Sequence, residues 1–344
     1  MEIALYDPEH GYYARAAQRS GRAGDFFTSV DVGPLFGELV AVQLEEMWRR
    51  LGEGSFDLVE AAAGNGRLTN DILTAVEQHW PAFYESIDVT LVERSEAARE
   101  AQMATLAGHR DRIKHRAGDL PPSVHGVVVA NELLDAFPVH VVVASDDGVR
   151  EIRIAERGGM LLEMEGDLSA QASEELARID RPIPTGVRAE LSPGARAWVA
   201  RAAGALGRGF LLLFDYGHEE EELHSGTHRD GTLVAYRAHT AGAQRWFDAP
   251  GSSDLTAHVN LTAVRSAAEA GGLHTLGMVD QTYFLIGLGL AERLETGHDL
   301  QAVRRRLAAR TLIMPGGLGS TMKVMIFGRG VSGPLSGLAG GRLT

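Results

Sequence analysis

Apolar positions fall into two periods along the chain. Over Phe36 to Leu51, Leu39, Val42, Leu44, Met47 and Trp48 share one side, which predicts an amphipathic helix. Short apolar runs at Leu58–Val59, Val89–Val92, Ile113–Ala117, Val127–Ala130 and Phe210–Phe214 read as strands. The run Val127–Ala130 is apolar throughout, as a strand covered on both faces should be. Between the first two strands, Leu68, Ile72, Leu73 and Val76 recur at helical spacing. This alternation predicts a doubly wound α/β sheet. A helix is expected from Ser192 to about Leu206, and another after an Asn260 cap, stopped by Gly271 and Gly272. Leu273–Val279 and Met322–Phe327 fit two last strands, with helix over Leu285–Ala309 between them. Val141–Ala170 differs: Asp146-Asp147-Gly148 and Gly158-Gly159 are hairpin signals, so an inserted β excursion is expected there, with Leu176–Pro184 as polar connector. Leu5–Gly37 mixes aromatic residues with Gly, Pro and Asp and holds no period, so it either covers a site or patches the core. Gly330–Thr344 is rich in Gly and Ser and is expected to be loose.

The candidate chemistry sits where strands end. The run from Phe56 to Leu68 is strand, small-residue turn and helix start, and Ala62, Ala63, Gly64 and Gly66 keep side chains out of the turn. A dinucleotide fingerprint needs a third Gly near Leu68, and a P-loop needs Lys followed by Ser or Thr; neither is present. Glu60, just before the turn, would repel phosphate and attract a cationic amino group, as in the methionine part of S-adenosylmethionine. The same turn also suits any other doubly wound domain. Glu93 closes the second strand at the interval expected of an acid that accepts ribose hydroxyls. Asp119 could accept an adenine amine while Leu120 packs the ring, or simply form a turn before Pro121. Asn131, Glu132 and Asp135 follow the fourth strand and are the leading candidates for chemistry; Asn131 also reads as a helix cap.

Composition narrows the classes. The 344-residue chain has no Cys, which removes disulfides, thiolate metal sites and cysteine nucleophiles. Its net charge of −13 argues against general binding to nucleic acid or anionic membranes. No apolar leader or bilayer-length run appears, so a cytoplasmic location is expected. His218, His224, His228 and His239 are scattered with no ligand-pair spacing, so no metal is expected.

Several separated blocks carry a family resemblance. They are Leu5-Tyr6-Asp7-Pro8 with Gly11-Tyr12-Tyr13, Gly24 to Ser29, Glu60 to Gly66, Leu91 to Ser95, Asn131 to Pro138, Asp215-Tyr216-Gly217, Asp254 to Asn260, and Met322-Lys323-Val324. In this order they resemble the MidA-like SAM-dependent methyltransferases, a family that includes an arginine methyltransferase of mitochondrial complex I assembly. The family usually has Gly at Ala62, Pro at Ala63, Arg at Asn65 and Asp at Asn260. If position 62 needs positive φ, Ala costs about 1 kcal/mol there.

The resemblance implies an α/β fold: a Rossmann-like class I methyltransferase with a seven-stranded, mostly parallel sheet, an inserted β/α region and an N-terminal arm. Residues 1–50 would form an arm and helix covering the site, 51–140 and 190–330 the core, 141–189 the inserted hairpins and 331–344 a flexible tail. The cofactor implied is S-adenosyl-L-methionine, with Asp25, Thr28, Glu60, Ala62, Gly64, Gly66, Glu93, Arg94, Asp119, Leu120 and Asn131 as binding positions. The acceptor implied is a protein arginine. A guanidinium holds its proton in water, so carboxylates must grip its fork. Glu132 and Asp135, three apart on a helical start, are the candidates, with His258 a lesser one for proton removal. A small-molecule amine or hydroxyl acceptor, or a non-catalytic assembly protein on the same fold, are the rival readings. DNA amines are disfavoured because Glu132-Leu133, not Pro-Pro-Tyr, follows Asn131. The oligomeric state stays open, a homodimer being one arrangement.

Overall fold

A computed structural model describes residues 1–14, 28–237, 240–241, 245–294 and 299–340. Its strands are β1 (Phe56–Ala61), β2 (Ile87–Val92), β3 (Ile113–Ala117), β4 (Val124–Asn131), β5 (His140–Ser145), β6 (Gly148–Arg157), β7 (Met160–Gly166), β8 (Arg188–Leu191), β9 (Leu206–His218), β10 (Val234–Arg237), β11 (Thr240–Ala241), β12 (Asp254–Thr256), β13 (Val259–Asn260), β14 (His274–Asp280) and β15 (Met322–Arg329). The chain divides into two compact units. One comprises Met1–Arg15, Leu134–Ala200 and Tyr216–Ala267; the other comprises Ala16–Leu133, Arg201–Asp215 and Ala268–Thr344.

The second unit is built on a sheet of order β14-β15-β9-β4-β1-β2-β3. The pairs β1–β2, β1–β4, β2–β3 and β4–β9 are parallel, and β14–β15 is antiparallel. Chain order runs outward from β1, through β2 to β3 on one side and through β4 and β9 to β15 on the other, so the carboxyl ends of β1, β2 and β4 form one edge of neighbouring strand tips. The expected doubly wound α/β sheet is present. Helices fill the alternation where the apolar stripes place them. One runs Leu35–Leu51 and buries Leu39, Val40, Leu44 and Met47 completely. Each such side chain contributes about 1.5–3 kcal/mol. Another runs Arg67–His79 and buries Leu68, Ile72, Leu73 and Val76, the residues that set its period.

Two expectations change. Leu285–Ala309 is not one helix: Gln281–Gly287 and Leu300–Leu312 are separate, and the chain turns at Gly289, φ 81°. The segment from Gly330, expected to be loose, is anchored as far as it is described. Leu335 is buried, Ser336 N–H donates to Glu46 Oε2 at 2.9 Å, and Gly337 N–H donates to Gln43 Oε1 at 3.1 Å. Residues 341–344 lie outside the described residues.

The first unit is mainly antiparallel. β7-β6-β5-β8 form one sheet and β11-β10-β12 another. The two hairpin signals stand where expected, between β5 and β6 and between β6 and β7. Val142, Ala172, Ile183, Ala189 and Leu191 pack beneath the first sheet. The arm begins with a short helix, Glu2–Tyr6, that periodicity did not reveal. Asp7 Oδ1 then accepts the N–H groups of Glu9 (3.0 Å) and His10 (2.8 Å), forming the turn that Pro8 allows.

Candidate active site

β1 runs into a turn that presents bare backbone. Ala62, Gly64 and Gly66 have φ of 56°, 49° and 84°. Ala63 N–H donates to Val92 O at 3.2 Å and Gly66 N–H to Ala63 O at 2.8 Å, so the turn is tied to β2 and closed on itself. A Cβ on Gly64 would meet nothing within 4 Å, so there is open space over the turn. Position 62 does need the left-handed region, and its Cβ carries a penalty of about 1 kcal/mol.

Glu93 lies just past β2 and faces this turn. Its Oε2 accepts Gly64 N–H at 2.9 Å, and its Oε1 accepts Ser95 N–H at 2.8 Å. Ser95 Oγ in turn caps the helix Glu96–Thr105 by accepting Ala98 N–H at 3.3 Å. Each carboxylate oxygen retains a lone pair for a further donor. Arg94 is exposed beside it. Asp119 is also exposed; its Oδ1 accepts Leu120 N–H at 2.8 Å. Leu120 is half-buried.

Glu60 is deeper than its place before the turn implies. It is 5 % exposed, and its Oε2 accepts both the N–H of Thr69 (3.2 Å) and the Thr69 hydroxyl. Burial pushes its carboxyl up to about 8, against those two bonds, with Glu93 and Asp71 adding repulsion. It therefore staples the start of the helix Arg67–His79 and lies beneath the turn, where any charge it carries is weakly screened.

Thr28, expected at the cofactor, bonds Asp31: its N–H and hydroxyl donate to Asp31 Oδ2 at 3.1 and 3.0 Å. Asp31 Oδ1 pairs with Arg67 at 2.6 Å, and Arg67 also donates to Val30 O at 3.1 Å. The segment after Thr28 is thus fastened to the first residue of the helix that follows the turn. Asp25 lies outside the described residues.

The fourth strand ends in a second strongly perturbed acid of this unit. Glu132 takes φ 52°, a conformation an L side chain adopts at a cost of about 1–2 kcal/mol and one that clusters at functional sites. Its N–H donates to Phe214 O at 2.8 Å, and the next N–H, of Leu133, donates to Asp215 Oδ2 at 3.2 Å. Residues 132–137 therefore form bends and a turn, not the helical start expected, and Asn131 caps no helix. The three-apart argument that joined Glu132 to Asp135 falls with it. Burial pushes the Glu132 carboxyl up to about 8, with Asp215 and Asp31 repelling its charge. Asn131 Nδ2 donates to Glu132 Oε1 at 3.2 Å and the backbone of Ser29 also bonds the carboxylate, both lowering it less. Asn131 Oδ1 is buried and has no hydrogen-bond partner among the described residues. An acceptor in that state costs about 1–3 kcal/mol until a donor reaches it.

Asp215, part of the Asp215-Tyr216-Gly217 block, was not among the expected site residues. It is 1 % exposed and shares the charge environment of Glu132. The available signal was topological: β4 and β9 pair in parallel, with Asn131 opposite Phe214. Their tips bring the two acids together, although they are far apart in sequence.

Asp135 and His258 belong to the other unit. Asp135 is buried near Tyr13, whose hydroxyl donates to Asp254 Oδ1 at 2.8 Å. The Asp135 carbonyl accepts Ala257 N–H at 3.1 Å. His258 is pushed down to about 4, first by burial and then by His218 and His228. A ring with so low a pKa is a weak proton acceptor, which removes the ground for its expected role. Two of the histidines read as scattered, His218 and His228, converge with His258. His224, also pushed down to about 4 by burial, is buried in the same segment, and His239 lies outside the described residues.

The open backbone turn, the doubly held Glu93 and the unpartnered amide oxygen of Asn131 fit a nucleoside that carries an amino group. Comparison with known proteins agrees. Residues 39–279 match a family described as "Putative S-adenosyl-L-methionine-dependent methyltransferase". A Drosophila melanogaster protein named a mitochondrial protein arginine methyltransferase NDUFAF7 homolog is 30% identical over 322 residues, covering 86% of this chain and 71% of its own. The human protein arginine methyltransferase NDUFAF7, mitochondrial, is 28% identical over 331 residues, covering 86% of this chain and 70% of its own. A crystal structure from Burkholderia thailandensis with S-adenosyl-homocysteine bound superposes with a TM-score of 0.89 at 30% identity, covering 100% of this chain and 90% of that one. The expected cytoplasmic location is overturned by these comparisons, since the curated relatives are named as mitochondrial proteins. The expected Rossmann-like class I fold stands, and the chain belongs to the family of S-adenosyl-L-methionine-dependent methyltransferases.

Proposed function

We propose that this methyltransferase acts on a guanidinium nitrogen of arginine in a protein. The observation that carries the reading is Glu132: a buried carboxyl raised to about 8, in a left-handed backbone at a strand tip, beside Asp215. Two acids so close and so dry are stable together only if one is protonated or a cation joins them. A guanidinium is that cation, and its fork matches a carboxylate. The names of the fly and human relatives support the same acceptor.

S-adenosyl-L-methionine, when bound, supplies a methyl group on a positively charged sulfur. The chain's own residues are assigned as follows. Ala62, Gly64 and Gly66 leave room for close approach to the backbone. Glu93 accepts the ribose hydroxyls on oxygens already fixed by Gly64 and Ser95. Asn131 Oδ1 accepts the amino group. Glu60 holds the turn through Thr69. Thr28 orders Asp31, and Arg94, Asp119 and Leu120 are retained as outer positions around the nucleoside. Glu132 grips the guanidinium and accepts the proton its nitrogen sheds, a task suited to a carboxyl poised near neutral pH. Asp215 replaces Asp135 as the second acid, and His258 is left out.

The test is a transfer assay with methyl-labelled cofactor, offered whole-cell protein and, separately, a low-mass extract. Label in protein, recovered as methylarginine after hydrolysis, is the expected result. Label confined to small molecules would refute the acceptor.

A further inference from the structure

We propose that His218, His228 and His258 form a binding site for a borderline divalent transition-metal ion such as Zn²⁺. The three come from the end of β9, the turn Gly226–His228 and the loop before β13, so neighbouring spacing in the sequence could not reveal them. Each offers one ring nitrogen, and the three nitrogens lie within 4.8 Å of one another. Tetrahedral Zn²⁺ with bonds of about 2.0–2.1 Å needs ligand nitrogens about 3.4 Å apart, so the rings draw in toward the ion on binding. The rings are already packed: centroids are 4.6 Å apart for His218–His228, 5.1 Å for His218–His258 and 6.0 Å for His228–His258.

The surroundings orient two of the rings as metal ligands are oriented. Glu222 Oε1 lies 3.2 Å from His218 Nδ1, and the Glu222 carbonyl lies 3.1 Å from His228 Nδ1. With the proton on Nδ1, each ring donates to Glu222 and keeps a lone pair on Nε2. Carboxylate and carbonyl partners of this kind fix the tautomer and raise ligand basicity. The third ring is held at its backbone, where His258 N–H donates to Thr232 Oγ1 at 3.0 Å. Its Nδ1 is buried and has no hydrogen-bond partner among the described residues. Three imidazoles and no thiolate suit Zn²⁺, Ni²⁺ or Cu²⁺ and disfavour Mg²⁺ or Ca²⁺. A solvent oxygen would complete four ligands. The ion would tie the end of β9, the Glu222–His228 segment and β13 together, separately from the methyl-transfer assignment.

The full chain, freed of any histidine tag and treated with chelator, is titrated with ZnCl₂ by calorimetry and with CoCl₂ by visible absorption. The expected result is one Zn²⁺ per chain and a Co²⁺ spectrum of four-coordinate intensity. His228→Gln, on a half-buried turn, should weaken Zn²⁺ at least ~100-fold, and Glu222→Gln by about 10–100-fold, as loss of a ligand's orienting partner does. Circular dichroism confirms that each variant is folded; if His258→Gln does not fold, the His228 and Glu222 variants still decide the matter. No saturable binding to the unaltered chain would overturn the proposal. So would binding with unchanged stoichiometry and affinity in His228→Gln.

Discussion

The strand-tip region of one unit and the histidine cluster of the other both gather titratable groups, but from different kinds of sequence signal. Glu60, Glu93 and Glu132 each end or follow a strand of one parallel sheet, so the fold's periodicity brings them to one edge. His218, His228 and His258 sit on a strand end, a turn and a loop, and only tertiary packing unites them. Burial also acts in opposite senses. It raises the carboxyls of Glu60 and Glu132 to about 8 and lowers His258 to about 4, so in each place the uncharged form is favoured. An acid held uncharged gives up its proton when a cation is bound beside it. A histidine held uncharged keeps the lone pair a metal needs. The contrast teaches that a buried polar cluster is best read by the ligand that would neutralise or complete it.

Four tests bear on this contrast, the substitutions taken from the largest expected effect to the smallest. Glu93→Gln places an amide where two backbone N–H donors converge. Cofactor affinity should fall by about 100-fold, the loss of charge-assisted bonds worth ~1.5–3 kcal/mol each, while the folded chain persists. Calorimetric titration with S-adenosyl-L-methionine checks this; unchanged affinity would remove Glu93 from the site, and Zn²⁺ binding should be indifferent to the change.

The second is a pH effect. Glu60 and Glu132 have folded-state values of about 8 against 4.5 in the unfolded chain, so the folded state holds more protons between those limits. The stability they contribute is complete below pH 4.5 and is lost as pH rises through 8, by an amount on the order of 2–4 kcal/mol per group. Urea midpoints of the cofactor-free protein should therefore decline from pH 5 to pH 8.5. Glu60→Gln should flatten the decline, because an amide oxygen can still accept from Thr69 and never ionises. A slope identical to that of the unaltered chain would contradict the assignment.

The third is Ala62→Gly, which removes a Cβ from φ 56°. Stability should rise by up to about 1 kcal/mol, read as a higher Tm, with cofactor affinity retained or improved. The smallest is Ser95→Ala. It deletes the cap on Ala98 and should cost about 0.5–1 kcal/mol, with little change in transfer.

Much of this was legible in the chain itself. The strands, the helix after the glycine turn and the strand-end acids follow from apolar period, which depends on neighbours only. What escaped depends on contacts between distant residues. The segment after Asn131 bends because Leu133 N–H is taken by Asp215, which no local pattern encodes. Glu60 faces Thr69 because the helix folds back over its own strand. The Gly-rich tail looks loose until Gln43 and Glu46 are placed beside it. His218 and His228 were set aside on spacing, a criterion that detects metal sites carried on one helix and misses those assembled from three segments.

The central claim is that Glu132 receives the acceptor and takes its proton. The most direct measurement is single-turnover methyl transfer by Glu132→Gln with S-adenosyl-L-methionine binding measured on the same sample. The account predicts transfer reduced by about 100-fold or more, in the range lost when a positioned acid–base group is removed, with cofactor binding within a few-fold of the unaltered chain. Transfer at the unaltered rate would contradict it.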